Sequence, residues 1–139
     1  MLVFLSACSG NNVATGIVDN RLMPCPESPN CVSSDASDDV HGIAPYRLKA
    51  APEVAWEGLK DAVGSLERVT LVTVEDQYLH AEVRSALFRF VDDVEFHLRP
   101  DQGIIAVRSA ARTGYGDMGV NRKRVERIRD ELRSRALVD

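Results

Sequence analysis

The stretch GIIAVRSAARTGYGDMGVNRKRVERIRDEL (residues 103–132) contains the patterns on which the fold prediction rests. It begins with a short apolar run around Ile105 and Val107, which is typical of a strand. A glycine-rich turn follows, and then Val125, Ile128 and Leu132 recur with the spacing of one helix face. The stretch therefore predicts a strand, a turn and a long amphipathic helix that carries many arginines.

The turn contains Gly114, Gly116 and Gly119 in the spacing G-x-G-x-x-G, which is the pattern of a dinucleotide-binding loop. That site also needs a second parallel strand and an acidic residue about 20 positions further on, whereas here one helix follows the turn. We therefore expect no nucleotide cofactor, and no other cofactor is indicated. The glycines are predicted to turn the chain with positive φ, and Asp117 or Asn121 is predicted to cap the helix.

Four runs, including the one around Ile105 and Val107, have the composition of strands, and short links join them. They cover residues 68–74, 78–88, 91–98 and 103–110. Links this short favour antiparallel hairpins. Another strand is predicted at residues 46–49, and an amphipathic helix with Trp56 as its main core residue at residues 52–66. The order βαββββα predicts an α+β fold in which two helices pack on one face of an antiparallel sheet of about five strands.

The composition fits one globular domain. The chain has 139 residues, of which 45% are hydrophobic and 27% charged, and the domain is predicted over residues 23–139. The formal net charge is −4, yet residues 121–135 hold seven basic side chains against three acidic ones. A basic helix can indicate nucleic-acid binding. The acidic remainder of the chain and an exported location, argued next, predict no nucleic-acid partner.

The first eight residues, MLVFLSAC, are apolar and resemble a bacterial lipoprotein box, in which small residues precede a cysteine that becomes lipidated. They are too few to span a bilayer and lack a basic n-region. We interpret residues 1–8 as a truncated signal segment, Cys8 as the lipidation site and residues 9–22 as a tether. A chance apolar N-terminus is the alternative. By analogy with other lipoproteins, Ser9 predicts a lipid anchor in the outer membrane, facing the periplasm.

Two further cysteines, Cys25 and Cys31, flank the proline-containing stretch PESPN. In an oxidising periplasm such a pair is predicted to form a disulfide. A metal site is the rival interpretation, but two thiols fall short of the four ligands of a structural zinc site. We therefore predict a disulfide and no metal.

Three stretches resemble one known family. They are CPESPNCVSS (residues 25–34), EVRS with FVDDVE (residues 82–85 and 90–95) and RSAARTGYGDMGVNRKR (residues 108–124). Together they resemble the bacterial and plastid family catalogued as domain of unknown function 1499 (DUF1499). Ala111 stands where the family's pattern leads us to expect serine. The resemblance implies a fold and a cell-envelope setting, but no established biochemical activity.

Charged residues alternate along the strand face that is predicted to point away from the helices. One interpretation is an exposed sheet face with weak ion pairs. The other, which the site prediction follows, is a polar groove where guanidinium groups and the amides of the glycine turn receive an anionic group. The predicted ligand-binding residues are Arg84, Arg108, Arg112, Asp117, Asn121, Arg122 and Arg124.

These features predict a cell-envelope lipoprotein that binds an anionic ligand or an acidic protein partner. The alternative is a hydrolase-like enzyme in which Asp92, Asp93 or Glu95 acts as acid or base. Ser85 or Ser109 would then be the nucleophile, but no histidine stands in a recognisable nucleophile motif. The prediction therefore leans away from catalysis.

Overall fold

The computed structural model describes residues 14–87 and 90–139. Cys8 and the predicted signal segment lie outside the described residues. The helices are α1 (Pro52–Gly64) and α2 (Val120–Ser134). The strands are β1 (Ile17–Val18), β2 (Arg21–Leu22), β3 (Cys31–Ser33), β4 (Tyr46–Arg47), β5 (Val69–Val74), β6 (Tyr78–Arg84), β7 (Val91–Arg99) and β8 (Ile104–Ala111).

The main sheet has six strands and is antiparallel throughout. Its strands neighbour one another in the order β3, β8, β7, β6, β5, and β4 also pairs with β8. The predicted α+β fold, with an antiparallel sheet and two helices, is confirmed. The sheet has one strand more than predicted, because β3 pairs with the end of β8. Three residues are too few for an alternating pattern to be recognised.

Both helices pack on one face of the sheet and bury its apolar residues. Pro52 and Glu53 occupy the first turn of α1, where proline is tolerated and an acidic side chain is favourable. Trp56 is 3% exposed, and its indole N–H donates to the Glu75 carbonyl at 3.2 Å. The core includes the predicted apolar residues Val107, Val125, Ile128 and Leu132. It also contains Leu59, Val63, Leu79, Val83 and Phe96.

The glycine turn leads into α2 through a capping carboxylate. Asp117 accepts hydrogen bonds from the backbone N–H of Gly119 at 2.9 Å and from that of Asn121 at 3.0 Å. Gly119 has a φ of 78°, which glycine adopts without steric cost. Of the two predicted capping residues, Asp117 is therefore the one that caps the helix.

The opposite face of the sheet carries the charged residues and is covered by the N-terminal segment, which we define as residues 14–35. The backbone N–H of Gly16 donates to Glu95 Oε1 at 2.7 Å. Asp93, Glu95 and Arg108 are each no more than 1% exposed. The interpretation of this face as exposed is therefore wrong, because residues that the sequence assigned partly to a tether lie over it.

The predicted disulfide is present and holds this cover in place. Cys25 and Cys31 are joined with an S–S distance of 2.05 Å. Because Cys31 lies in β3, the bond ties the chain upstream of it to the sheet. The short strands β1 and β2 form their own antiparallel hairpin within residues 9–22, and Leu22 is buried. The folded part of the chain thus begins upstream of residue 23.

No helix among residues 14–87 and 90–139 has the length and apolar character needed to cross a bilayer.

Candidate functional site

Arg108 lies inside the protein rather than at a surface site. It donates to Glu95 Oε2 at 3.0 Å and to the Pro24 carbonyl at 3.3 Å. Glu95 also accepts hydrogen bonds from Gly16 and from the Tyr78 hydroxyl, the latter at 2.6 Å. Burial and the bond to this carboxylate raise the pKa of Tyr78, so it remains a donor. Arg108 therefore connects the sheet to the N-terminal segment.

Arg112 belongs to a second network on the same face. Its guanidinium donates to both carboxylate oxygens of Asp93 at 2.8 and 2.9 Å and to Glu82 at 2.6 Å. His80 Nε2 lies 2.7 Å from Asp93 Oδ1. Burial alone would raise the pKa of Asp93, but the bonds from Arg112 and His80 outweigh burial and hold that pKa at about 2. Asp93 is thus an anion at any physiological pH.

Arg124 lies on the helix-covered side of the sheet. It donates to Asp92 Oδ2 at 2.8 Å, to Asn121 Oδ1 at 2.7 Å and to the Ser109 hydroxyl at 3.1 Å. Ser109 donates in turn to Asn121 Oδ1 at 2.7 Å. Burial raises the pKa of Asp92, although the ion pair with Arg124 opposes that shift. The Ser109 hydroxyl is committed to this buried network, which leaves it poorly placed as a nucleophile.

Two of the remaining predicted residues, Arg122 and Asn121, connect α2 to loops, and Arg84 does not. Arg122 donates to the carbonyls of Gly42 at 2.9 Å and Val40 at 3.2 Å. The side chain of Asn121 donates to the carbonyl of Asn30 at 3.3 Å, which connects α2 to the N-terminal segment. Arg84 is exposed and lies 3.5 Å from Glu82.

The seven predicted residues therefore do not converge on one point. Arg108 and Arg112 lie on the face under the N-terminal segment, whereas Arg124 lies on the helix side. Arg108 and Arg112 are close to Arg124 along the chain, but Arg124 belongs to α2, which packs on the opposite face of the sheet. Arg84, Asp117 and Arg124 do line one common cavity, and ligand binding by the seven residues stays a prediction.

That cavity is an open groove of about 870 Å³ between the end of α1, the end of β6 and the first turns of α2. We call it the cationic groove. Its apolar lining includes Leu66, Val83, Phe90 and Val120. Its basic lining residues are Arg68, Arg84, Lys123, Arg124 and Arg127.

The basic residues of the groove outnumber its carboxylates, and the carboxylates are already engaged. Glu67 pairs with Arg68 at 3.1 Å, Asp92 pairs with Arg124, and Asp117 caps α2. Lys123 and Arg127 are exposed, and within the described part of the chain no carboxylate lies within ion-pairing distance of either. The groove can therefore accept negative charge from outside the protein.

Sequence reasoning missed Arg68, Lys123 and Arg127. A signal for two of them was available, because Val120, Lys123, Arg124 and Arg127 follow the spacing i, i+3, i+4, i+7 of one helix face. This face lies beside the buried stripe of α2 and lines the groove. No periodic pattern pointed to Arg68, because it lies in the turn after α1 and reaches the groove only through the path of that turn.

A second cavity of about 520 Å³ lies between the N-terminal segment and residues 36–41. Two of its carboxylates are already engaged: Asp35 receives two hydrogen bonds from Arg99, at 2.8 and 2.6 Å, and Asp38 lies 2.7 Å from His41 Nδ1. Within residues 14–87 and 90–139, no group of three or more histidine, cysteine, aspartate or glutamate side chains is arranged to hold a metal ion. This cavity is therefore the weaker candidate.

Comparison with models of protein families matches residues 21–132 to the family described as "Protein of unknown function (DUF1499)". The match spans most of the chain and includes every residue that lines the cationic groove. No curated protein and no solved structure matches the chain.

Proposed function

The chain belongs to the DUF1499 family, and we propose that it is a cell-envelope binding module whose cationic groove receives an anionic amphiphile. Such a ligand carries a carboxylate or phosphate group on an apolar body. The proposal places the ligand at the groove rather than at all seven arginines of the sequence-based site. It retains the anionic chemistry of that prediction.

One observation carries this proposal: among the residues that the structure describes, Lys123 and Arg127 have no carboxylate partner, and they stand one helical turn apart along a groove with apolar walls. Like charges at this spacing repel each other, so the protein alone does not benefit from placing them together. An anionic group between them would remove the repulsion and gain charge-assisted hydrogen bonds. The apolar lining would cover the body of the ligand, as in most small-molecule sites.

Arg108, Arg112 and Arg124 act in this proposal as supports. Each is held by a carboxylate, at 3.0, 2.8 and 2.8 Å respectively. Arg124 connects α2 to β7 through its ion pair with Asp92. A charge already neutralised in this way has little further attraction for a ligand.

A test uses two soluble probes with the same alkyl chain, decyl phosphate and the neutral decyl maltoside, and measures binding by calorimetry. The full chain should prefer decyl phosphate. Lys123→Gln/Arg127→Gln should weaken decyl phosphate binding about tenfold or more, which corresponds to about 1.4 kcal/mol or more.

Arg133→Gln is the matched control, since Arg133 is an exposed arginine of α2 outside the groove. It should leave binding unchanged. Equal affinity for the two probes, or equal losses in the groove variant and the control, would refute the proposal.

The envelope location is part of the same proposal and has its own test. A disulfide between Cys25 and Cys31 suits an oxidising compartment, which supports export. Expression of the full-length gene in its native host with a palmitate analogue should label the protein, and Cys8→Ser should abolish the label. Recovery of unlabelled protein wholly from the cytosol would contradict lipid anchoring at the outer membrane.

A hydrolytic function is the second candidate, and Asp92 is the residue that keeps it open. Of the three proposed acid or base carboxylates, Asp92 lines the groove, whereas Asp93 and Glu95 lie under the N-terminal segment. Burial raises the pKa of Asp92, as suits a proton donor. Incubation of any ligand with the protein, followed by mass spectrometry, should detect products that Asp92→Asn does not form. Unchanged ligand would leave binding as the function.

A further inference from the structure

Two loops at the mouth of the cationic groove expose large apolar side chains. The β6–β7 loop exposes Leu87 by 85% and Phe90 by 55%, and the glycine turn exposes Tyr115 by 74% and Met118 by 93%. These residues line the groove or directly neighbour residues that line it, so both loops stand at its mouth. We call these four residues the rim.

Met118 is the most exposed residue of the rim, and its backbone conformation is strained. Its φ is 55°, which places a residue with a side chain in the left-handed region. A strained backbone that keeps an apolar side chain in water gives the fold no packing in return. Strain of this kind is concentrated at functional sites.

We infer that the rim docks on the surface of an anionic lipid bilayer. Tyrosine and phenylalanine suit the headgroup layer, and leucine and methionine can enter the acyl region below it. Lys123 and Arg127 line the same groove and lack carboxylate partners within the described ranges, so they can attract anionic headgroups. Charge and apolar insertion act together at one end of the molecule.

A fluid bilayer fits the rim better than a folded protein surface does. The core of a protein interface is a well-packed patch whose side chains are already supported by their neighbours. Leu87 and Met118 are instead almost wholly surrounded by solvent, on two loops far apart in sequence. Lipid chains mould around isolated side chains, whereas a protein partner would need a matching pocket for each of them.

Docking in this orientation places the mouth of the groove at the headgroup layer. The bilayer then becomes the source of the anionic amphiphile. Only this statement about the source of the ligand rests on the proposed function. The docking itself rests on the rim, and the two can be tested apart.

The test measures sedimentation of the full chain with two kinds of vesicle. One contains phosphatidylethanolamine and phosphatidylglycerol, and the other contains phosphatidylcholine alone. The chain should bind the anionic vesicles more tightly, and Leu87→Glu/Met118→Glu should weaken that binding about tenfold or more, because the variant loses insertion and adds repulsion. Residues 1–8 are present in every variant, so a difference between variants reports the rim.

Val54→Glu/Val72→Glu is the matched control, since it adds the same charge at two exposed valines away from the groove. It should bind vesicles like the wild type, and circular dichroism should show that all variants fold. Equal binding of wild type and rim variant would overturn the inference. So would a rim-dependent dimer in solution without vesicle binding, which would assign the rim to a second copy of the chain.

A neutral rim variant separates this inference from the proposed function. Leu87→Gln/Met118→Gln removes apolar insertion without adding charge, so it should still bind decyl phosphate, whereas Lys123→Gln/Arg127→Gln should lose that binding. If vesicle binding depends on the rim but the protein does not bind decyl phosphate, membrane docking is supported and the proposed ligand is refuted. If the protein binds decyl phosphate but its sedimentation with vesicles does not depend on the rim, the ligand is supported and docking is refuted.

Discussion

The two faces of the sheet are both buried, but they are buried in different ways. One face is apolar and lies under two helices, with Leu79, Phe96 and Val107 in its core. The other carries Asp93, Glu95 and Arg108 and lies under a thin N-terminal segment. Charged residues can therefore form an interior layer when each charge meets an opposite charge and hydrogen bonds.

The two faces should also respond differently to single substitutions. Apolar packing loses stability in proportion to the area and cavity that a substitution creates. A buried ion pair instead depends on both partners, because removing one leaves the other buried and unpaired. The charged face should thus be the more fragile one to single substitutions, and the following experiments compare the two.

The largest effect is expected on the charged face. Arg108→Ala should lower the free energy of unfolding by about 3–5 kcal/mol, because Glu95 stays buried without its cation. Urea unfolding followed by Trp56 fluorescence measures the loss. The double variant Arg108→Met/Glu95→Leu should recover part of it, since it removes both charges. A loss below about 1 kcal/mol in the single variant would mean that the pair is not a buried element of the fold.

On the helix-covered face, Leu59→Ala should lower the free energy of unfolding by about 3 kcal/mol, because Leu59 is a fully buried residue that α1 contributes to the hydrophobic core. The same unfolding measurement applies. Val54→Ala, at an exposed position of the same helix, should stay within about 0.5 kcal/mol of the wild type. Similar effects at the two positions would contradict the proposed orientation of α1.

Removing the disulfide should loosen the N-terminal segment over the charged face more than the helices over the apolar face. Cys25→Ala/Cys31→Ala opens a short loop and should cost about 2 kcal/mol. Amide hydrogen exchange should accelerate in residues 16–24 more than in α1 or α2, because the bond ties only the N-terminal segment to the sheet. Uniform acceleration across the chain would show that this segment does not open separately.

The smallest effect is a pH dependence specific to the charged face. The folded pKa of Asp93 is about 2, below its ordinary value, so its contribution is fully present above about pH 4 and is lost as the pH falls towards 2. Asp93→Asn should therefore be less stable than the wild type at pH 6 by about 2 kcal/mol. The difference should shrink between pH 4 and pH 2. A constant difference across this range would refute the assignment.

Much of the fold was predictable because its signals are local. The spacing of Val125, Ile128 and Leu132 identifies the buried stripe of α2, and alternation along β6 identifies its core residues. Cys25 and Cys31 were assigned to each other from their number and setting. The candidate site was predicted less well. Arg84, Asp117 and Arg124 line the cationic groove, but Arg108 and Arg112 point to the other face of the sheet.

The sequence by itself determined the two helices, the five strands from β4 to β8 and the apolar face of the longer elements, because these periodic patterns repeat over a few neighbouring residues. Tertiary structure alone decided what covers the charged face, where Gly16 contacts Glu95 across 79 positions. It also decided that Arg68 from a turn, Arg84 from β6 and Lys123 from α2 share one groove. Contacts of this kind leave no local periodicity, since they depend on how all the elements pack at once.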